Sequence, residues 1–299
     1  MFFTEKLRPR IDSLEFELLK NKNIKADVLR LDLVDTLVSG NKWFKLKEYA
    51  SDALSQKKSA IVTFGGAFSN HILATAAYCS KVGLKAVGII RGEKPKSLSY
   101  TLRTAIELEM DLFFVTREQY SRKEVPGIVF KKYPNYFLVN EGGYGLQGMK
   151  GARTILDFPG SEQYTHIVCA VGTGTTLAGL VEASKEHQQV IGISSLKNNL
   201  DLVPAINALL SPSNKNRFQL LHDFHCGGYA KYNSALIQFM NGWYSLTNIP
   251  SDFVYTAKTF YAFTQLTKQD FFSAGSQVLL VHTGGLQGNS SLKNGTLIF

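Results

Sequence analysis

Short apolar runs alternate along this 299-residue chain with segments of helical spacing, and this alternation constrains the fold most strongly. Glycine or polar residues bound each run, as is typical of strands buried in a parallel sheet. Strands that alternate with helices predict an α/β fold. The predicted strands are 60–64, 86–90, 112–115, 167–171, 190–193 and 278–281, and the predicted helices are 43–54, 72–82, 98–110, 177–187, 234–243 and 257–266.

The glycine-rich stretch 141–151 separates two groups of predicted strands. We therefore expect two lobes, each an open, twisted, mostly parallel sheet flanked by helices. The expected large domain comprises residues 1–45 and 141–299, with a small domain, 46–140, inserted in it. A cleft between such lobes is a common place for a cofactor, because strand ends and helix starts converge there. The chemistry should lie in the strand-to-helix loops.

Composition and charge exclude several other classes of protein. The chain is 44% hydrophobic and 19% charged, as expected of a soluble globular protein. Its net charge of +9 is spread without a basic tail or stripe, which favours a solvated surface that attracts small anions over nucleic-acid binding. The three cysteines lack metal or disulfide spacing. With no signal-like or membrane-spanning run, we expect a cytoplasmic protein without a membrane partner or metal.

The loop 171–179, Val-Gly-Thr-Gly-Thr-Thr-Leu-Ala-Gly, follows a predicted strand and opens a helix. Its glycines, threonine hydroxyls and free helical N–H groups suit an anion. The loop has no lysine for a P-loop, and Leu177 stands where a dinucleotide fingerprint needs its third glycine. A single phosphate is the better interpretation, and a purely structural turn is the alternative.

A lysine lies just after a Gly-Asn turn in the segment 39–45, Ser-Gly-Asn-Lys-Trp-Phe-Lys. Among aromatic neighbours at a helix start, the amine of Lys42 can lie in a desolvated pocket and be nucleophilic. The alternative is a surface lysine at the start of a helix.

The segment 64–71, Phe-Gly-Gly-Ala-Phe-Ser-Asn-His, also follows a predicted strand. Ser69 or Asn70 can cap the next helix, and that role would account for them. His71 is equally consistent with a histidine on the helix surface. The Gly-Gly turn and the first helical N–H groups nevertheless offer donors suited to a carboxylate.

These three loops, in this order, resemble the tryptophan synthase β-like (fold type II) pyridoxal-phosphate enzymes. Within them, the resemblance is to the branch of aminocyclopropane-carboxylate deaminase and D-cysteine desulfhydrase, and it covers most of the chain. It implies that Lys42 holds pyridoxal 5′-phosphate as a Schiff base and later moves the substrate's α-proton. It implies that Lys45 and the loop Thr173, Gly174, Thr175 and Thr176 bind the phosphate.

The resemblance also implies that Asn70 lies beside the cofactor's 3′ oxygen, and that Ser69 and its neighbours receive the substrate carboxylate. His71 stands where the branch usually has glutamine. Gly228-Tyr229 and 253–258, Phe-Val-Tyr-Thr-Ala-Lys, resemble the segments that supply two active-site tyrosines, Tyr229 and Tyr255. His282-Thr283-Gly284-Gly285 matches the C-terminal pattern and adds Thr283 to the expected cofactor site. Each tyrosine has an alternative role in ordinary packing.

The residue after Tyr255 bears on the reaction, because in this superfamily it faces the pyridine nitrogen. The resemblance assigns an acid there to the deaminase and a threonine to the desulfhydrase, and this chain has Thr256. The sequence therefore predicts β-elimination from a small amino acid such as D-cysteine. The alternatives are cyclopropane ring opening by a deaminase and a non-catalytic protein that binds the cofactor. The resemblance also suggests a homodimer.

Overall fold

The computed structural model describes residues 9–197 and 199–299. The strands are β1 (Arg10–Leu14), β2 (Lys25–Arg30), β3 (Ala60–Gly65), β4 (Lys85–Arg91), β5 (Asp111–Val115), β6 (Tyr136–Val139), β7 (His166–Val171), β8 (Gln189–Ser194), β9 (Phe218–Leu221) and β10 (Gln277–His282). The helices are α1 (Glu17–Lys22), α2 (Asn41–Ser55), α3 (Asn70–Val82), α4 (Tyr100–Glu107), α5 (Arg117–Ser121), α6 (Gly127–Lys132), α7 (Leu146–Arg153), α8 (Thr175–Ala183), α9 (Leu202–Asn207), α10 (Ser234–Thr247) and α11 (Thr256–Lys268).

The strands form two sheets, as the sequence predicts. The larger sheet has the order β1-β2-β10-β7-β8-β9, and the smaller has the order β5-β4-β3-β6. All pairings are parallel except that of β1 with β2. The predicted α/β class with two mostly parallel sheets is confirmed. The boundaries of the inserted small domain remain a prediction.

Each sheet has apolar side chains on both of its faces, and helices pack against both faces. In β10, Leu279 and Val281 face one core cluster while Val278 and Leu280 face another. In β3, Ile61 faces one core cluster, and its two neighbours in sequence face another. Burial on both faces explains why these strands read as unbroken apolar runs.

Four strands were not predicted: β1, β2, β6 and β9. Three of them lack an unbroken apolar run, whereas β6 has one of only four residues, Tyr-Phe-Leu-Val. β1 and β9 are the edges of the large sheet and β6 is an edge of the small one, so each has only one neighbouring strand.

Helix α8 ends at Ala183 rather than at 187, and the polar residues 184–187 that follow are not helical. No helix among the described residues is long and apolar enough to cross a membrane.

Three strands end where the expected site residues begin. β3 ends at Gly65, β7 at Val171 and β10 at His282, and each end is followed by one of the loops identified in the sequence. β7 and β10 are adjacent parallel strands of the large sheet, so their loops converge at one edge, and residues of the loop after β3 line the same cavity. The fold thus places loops from both sheets around one space.

Candidate active site

A cavity of about 820 Å³ lies among these loops, with walls from both the large-sheet and the small-sheet segments. Its size is in the range of small-molecule sites. Two of the expected site residues, Thr175 and Thr256, are not on its wall. The expected residues that do line the cavity are Lys42, Lys45, Ser69, Asn70, His71, Thr173, Gly174, Thr176, Tyr229, Tyr255 and Thr283.

The turn before Lys42 packs directly on the loop after β10. Gly40 has a φ of +74°, and a Cβ built there would lie 1.9 Å from the carbonyl oxygen of Thr283. Only glycine allows both this backbone conformation and this approach. The backbone N–H of Asn41 donates to the same carbonyl at 3.2 Å. Helix α2 therefore begins at a fixed place beside the cavity.

Lys42 extends from the first turn of α2 into the cavity, where its side chain is partly buried. Its Nζ lies 3.2 Å from the side-chain oxygen of Asn41. Burial lowers the pKa of Lys42 to about 8, against a smaller opposing effect of the Asp252 carboxylate. An amine with this pKa is neutral far more often at neutral pH than an ordinary lysine, and is accordingly a better nucleophile. The alternative of a surface lysine is excluded.

Lys45 is one helical turn further along and is only 2% exposed. Its Nζ donates to the carbonyl oxygen of Gly142 at 3.2 Å. Burial, followed by the charge of Lys42, holds the pKa of Lys45 well below its usual value. Two amines facing one cavity favour an anionic ligand, because a negative charge would offset their repulsion.

The N-terminus of α8 forms another part of the wall. Gly174 precedes the helix with a φ of +85°, and the first N–H groups of α8 have no intrahelical acceptor. Thr173 and Thr176 line the cavity, whereas Thr175 is fully buried behind it with its hydroxyl 3.1 Å from that of Thr173. Thr175 can therefore orient the loop but does not face a ligand in the cavity.

Ser69 caps α3, since the N–H of Ile72 donates to its Oγ at 3.4 Å. Ser69 also lines the cavity, so the capping role and a ligand-facing position coexist. The next residue, Asn70, has a buried side-chain oxygen without a hydrogen-bond partner among the described residues. A buried polar atom of this kind calls for a ligand or water.

His71 is buried, with 2% of its surface exposed, so the alternative of a helix-surface histidine is wrong. Its Nε2 lies 2.9 Å from the hydroxyl of Thr63, which itself donates to the carbonyl of Val139. The one hydroxyl proton is used there, so Nε2 must carry the hydrogen that joins it to Thr63. Nδ1 is left as a buried acceptor without a partner in the described part of the chain.

The two expected tyrosines lie together at the cavity. The ring centroids of Tyr229 and Tyr255 are 6.1 Å apart in an edge-on arrangement. Burial raises the pKa of both hydroxyls, and raises that of Tyr255 well above its usual value. Tyr255 is therefore a protonated donor throughout the neutral range. Tyr229 is about half exposed and lies at the open side.

Thr256 is not placed as the resemblance implies. Its hydroxyl donates to the carboxylate of Asp252 at 2.8 Å and accepts from the backbone N–H of the same residue at 2.7 Å. These bonds turn it away from the cavity. The expectation that the Thr256 hydroxyl faces a bound ring is corrected accordingly, whereas Thr173, Thr176 and Thr283 line the cavity.

Asp252 is a residue that sequence reasoning missed. It is fully buried, and its carboxylate accepts from the backbone N–H groups of Val254, Tyr255 and Thr256 at 2.9 to 3.0 Å. It thereby fixes the backbone that presents Tyr255. An acidic residue shortly before a helix start is a capping signal that could have identified it.

The cavity wall fits a phosphorylated aldehyde cofactor. It combines a nucleophilic amine, a second buried amine, a helix N-terminus with free N–H groups and a buried amide oxygen without a partner. Lys42 would hold the aldehyde, and Lys45 with the start of α8 would hold the phosphate. Among the described residues, no group of acidic, histidine or cysteine side chains could hold a metal ion.

The fold and this site define a pyridoxal-phosphate enzyme, and comparison with known proteins shows the family. The family model described as "Pyridoxal-phosphate dependent enzyme" matches residues 29–284. The chain belongs to this family, and its cofactor is pyridoxal 5′-phosphate.

Individual relatives agree with this assignment, and a solved structure agrees with the fold. A Thermotoga maritima protein provisionally named 1-aminocyclopropane-1-carboxylate deaminase is 32% identical over 87% of this chain and 88% of its own length. A Klebsiella pneumoniae protein named D-cysteine desulfhydrase is 26% identical over 86% of each chain. The crystal structure of an ACC deaminase homologue superposes with a TM-score of 0.82 at 23% identity, covering 95% of this chain and 91% of that one.

Proposed function

We propose that this enzyme removes the β-substituent and the amino group from a small amino acid, with D-cysteine as the leading candidate. With water, D-cysteine would give pyruvate, ammonia and hydrogen sulfide. The observation that carries the proposal is the position of the Lys42 amine, which lies in one cavity with the Ser69–Asn70 loop and the N-terminus of α8. One end of this cavity suits a phosphate and another suits a carboxylate.

The cofactor, when bound, supplies an electron sink for the bonds at the substrate's α-carbon. Lys45, Thr173 and the first N–H groups of α8 bind its phosphate. Ser69 and the first N–H groups of α3 hold the substrate carboxylate, which fixes the orientation of the amino acid. Lys42 takes the α-proton once its amine is free, and its lowered pKa makes it an effective base near neutral pH.

The choice of elimination over ring opening depends on the groups that can face the ring nitrogen. The chain has threonine at position 256, where the resemblance assigns an acid to the deaminase, and Thr283 on the cavity wall also offers a hydroxyl rather than a carboxylate. A hydroxyl does not keep a pyridine nitrogen protonated as a carboxylate does. The resulting weaker sink suffices when a good leaving group such as thiolate is present.

Ring opening of 1-aminocyclopropane-1-carboxylate is the second candidate. It is favoured by the 32% identity to the Thermotoga maritima protein that carries this name. The two candidates make opposite predictions in one substrate screen, because only the first predicts release of sulfide from D-cysteine.

The test is a screen of purified protein loaded with pyridoxal phosphate. D-Cysteine, L-cysteine, D-serine, 3-chloro-D-alanine and 1-aminocyclopropane-1-carboxylate are supplied separately, and 2-oxo acid and ammonia are measured. We expect turnover of the D-amino acids. Turnover of the cyclopropane substrate alone would overturn the proposal in favour of ring opening, and absence of product from every candidate would reject both.

Lys42→Ala tests the cofactor site in the same experiment. We expect it to lose the visible absorbance band of the bound cofactor and to lose turnover. Lys47→Ala is the matched control, because Lys47 lies on the same helix but not on the cavity wall. A Lys42→Ala protein that keeps both band and turnover would contradict the assigned role.

A homodimer and a cytoplasmic location are also part of the proposal. They are supported by the resemblance and by the sequence, respectively. Light scattering coupled to gel filtration tests the first, with twice the chain mass of 33.2 kDa as the expected value. Fractionation of the source cells tests the second.

A further inference from the structure

A third lysine, Lys258, lies near the cavity but not on its wall. Lys258 is fully buried, with 0% of its surface exposed, and lies in the first turn of α11. A positive charge is unfavourable there, both because burial removes its hydration and because the helix dipole is positive at this end. Burying an apolar residue there would cost less free energy, so the contacts of the amine must explain why a lysine is present.

The amine of Lys258 makes one hydrogen bond within the described part of the chain. Its Nζ donates to the carbonyl oxygen of Gly228 at 2.7 Å. Gly228 immediately precedes Tyr229, while Lys258 lies three residues after Tyr255. The bond therefore joins the two segments that carry the two tyrosines of the cavity.

The segment around Tyr229 needs such support. It lies between β9 and α10 without helix or strand structure, and four of its residues have positive φ angles: Cys226, Gly227, Gly228 and Ala230. Left-handed conformations at Cys226 and Ala230 are unfavourable for residues with a side chain. A charge-assisted hydrogen bond to the middle of this segment would hold it in one conformation.

We propose that Lys258 is a positioning residue: through the carbonyl of Gly228 it holds Tyr229 against Tyr255, and so keeps the substrate-facing pair in place. The inference rests on the proposed function, because it concerns the tyrosines of that site. Nothing in the proposed chemistry requires Lys258 to contact substrate or cofactor.

The same contact predicts sensitivity to alkaline pH. Burial lowers the pKa of Lys258 to about 8, while the nearby Cys226 thiol and Asp252 carboxylate act in the opposite direction. Above that pH the amine becomes neutral, and the hydrogen bond to Gly228 loses its charge assistance. The Tyr229 segment should then open more often.

The experiment compares Lys258→Met, Lys258→Arg and the control Lys268→Met, whose lysine is exposed in the last turn of the same helix. In Lys258→Met we expect backbone amides of residues 225–232 to exchange hydrogen about tenfold faster. In cofactor-loaded enzyme we expect kcat to fall about tenfold with little change in the cofactor's absorbance band. Arginine, which stays charged, should restore part of kcat and remove its decline above pH 8.

Unchanged exchange in 225–232 together with kcat within about twofold of wild type would overturn the proposal. If Lys258→Met does not fold, exchange in the wild-type protein decides: after correction for intrinsic rates, protection of 225–232 should fall between pH 7 and 9.5, and constant protection would overturn it. The exchange measurement needs neither cofactor nor substrate. A failure of the proposed function, seen as no turnover in wild type, is thus distinguished from a failure of this inference.

Discussion

The side-chain amide of Asn41 donates a buried hydrogen bond of 2.7 Å to the hydroxyl of Thr176. The two residues are 135 positions apart in the sequence. One precedes Lys42, and the other lies in the phosphate-binding loop at the start of α8. This bond joins the two halves of the site, whose proximity does not follow from the sequence patterns alone.

Replacing Asn41 with alanine should therefore weaken cofactor binding without removing the reactive amine. Loss of one buried hydrogen bond costs about 1–3 kcal/mol, so we expect the Kd for pyridoxal phosphate to rise about tenfold or more. Titration followed by absorbance measures it. Asn135→Ala is the control, because that amide makes an exposed hydrogen bond to Lys57. An unchanged Kd in Asn41→Ala would show that the two loops are held by other contacts.

Gly40→Ala should destabilise the protein far more than the addition of a single methyl group suggests. The added methyl would meet the Thr283 carbonyl at 1.9 Å and would also require a φ of +74°. Gly83 provides a matched control, since its φ is +72° but a Cβ there meets no atom within 4 Å. We expect Gly83→Ala to lower the free energy of unfolding by about 1 kcal/mol and Gly40→Ala by at least about 2 kcal/mol. Equal losses in denaturant titrations would contradict the close packing described for Gly40.

The sequence predicted the central strands and most of the residues that line the cavity, because both depend on local patterns. Buried parallel strands are apolar on both faces, and the loops after them carry recognisable glycine, serine and threonine motifs. Local patterns do not determine the direction in which a side chain points. Thr256 follows Tyr255 as the motif requires, yet its hydroxyl donates a hydrogen bond to Asp252 instead of lining the cavity. Edge strands such as β1 were missed because a strand with one neighbour needs no continuous apolar run.

Long-range contacts account for the other omissions. His71 looked like a possible surface residue until the fold placed it under the loops and beside Thr63. Lys258 ends the recognised segment 253–258, but its importance comes from its hydrogen bond to Gly228, 30 positions away. No local pattern encodes which backbone carbonyl a buried amine will reach.

The partly buried charge of Lys42 should destabilise the cofactor-free protein in a pH-dependent way. Its pKa is about 8 in the folded chain and is ordinarily 10.5. Below pH 8 both states are protonated and the full penalty is present; between 8 and 10.5 the folded state loses its proton first, and the penalty declines. Cofactor-free Lys42→Met should thus be about 1–2 kcal/mol more stable than wild type at pH 7, and less so at pH 9.5. Denaturant midpoints at both values measure the difference, and a gap that widens with pH would contradict the lowered pKa.

His71 should destabilise the cofactor-free protein on the acid side. Burial first, and then the charges of Lys42 and Lys45, hold its pKa well below 6.5. Below pH 6.5 the unfolded chain takes up a proton that the folded ring does not, so the stability contributed by the neutral ring is lost as the pH falls. Burial also lowers the pKa of His282 and of the partly buried His166, so only a difference between variants isolates the contribution of His71.

His71→Gln removes the titration while keeping a side chain that can reach Thr63. Relative to wild type, its free energy of unfolding should rise by about 1 kcal/mol for each unit by which the pH falls between 6.5 and 5. His187→Gln is the exposed control. Added phosphate should shrink the gain, since an anion beside Lys42 and Lys45 offsets the charges that keep the ring neutral. A constant difference between His71→Gln and wild type over this pH range would mean that the ring titrates alike in both states, and the neutral acceptor assigned to Nδ1 would have to be abandoned.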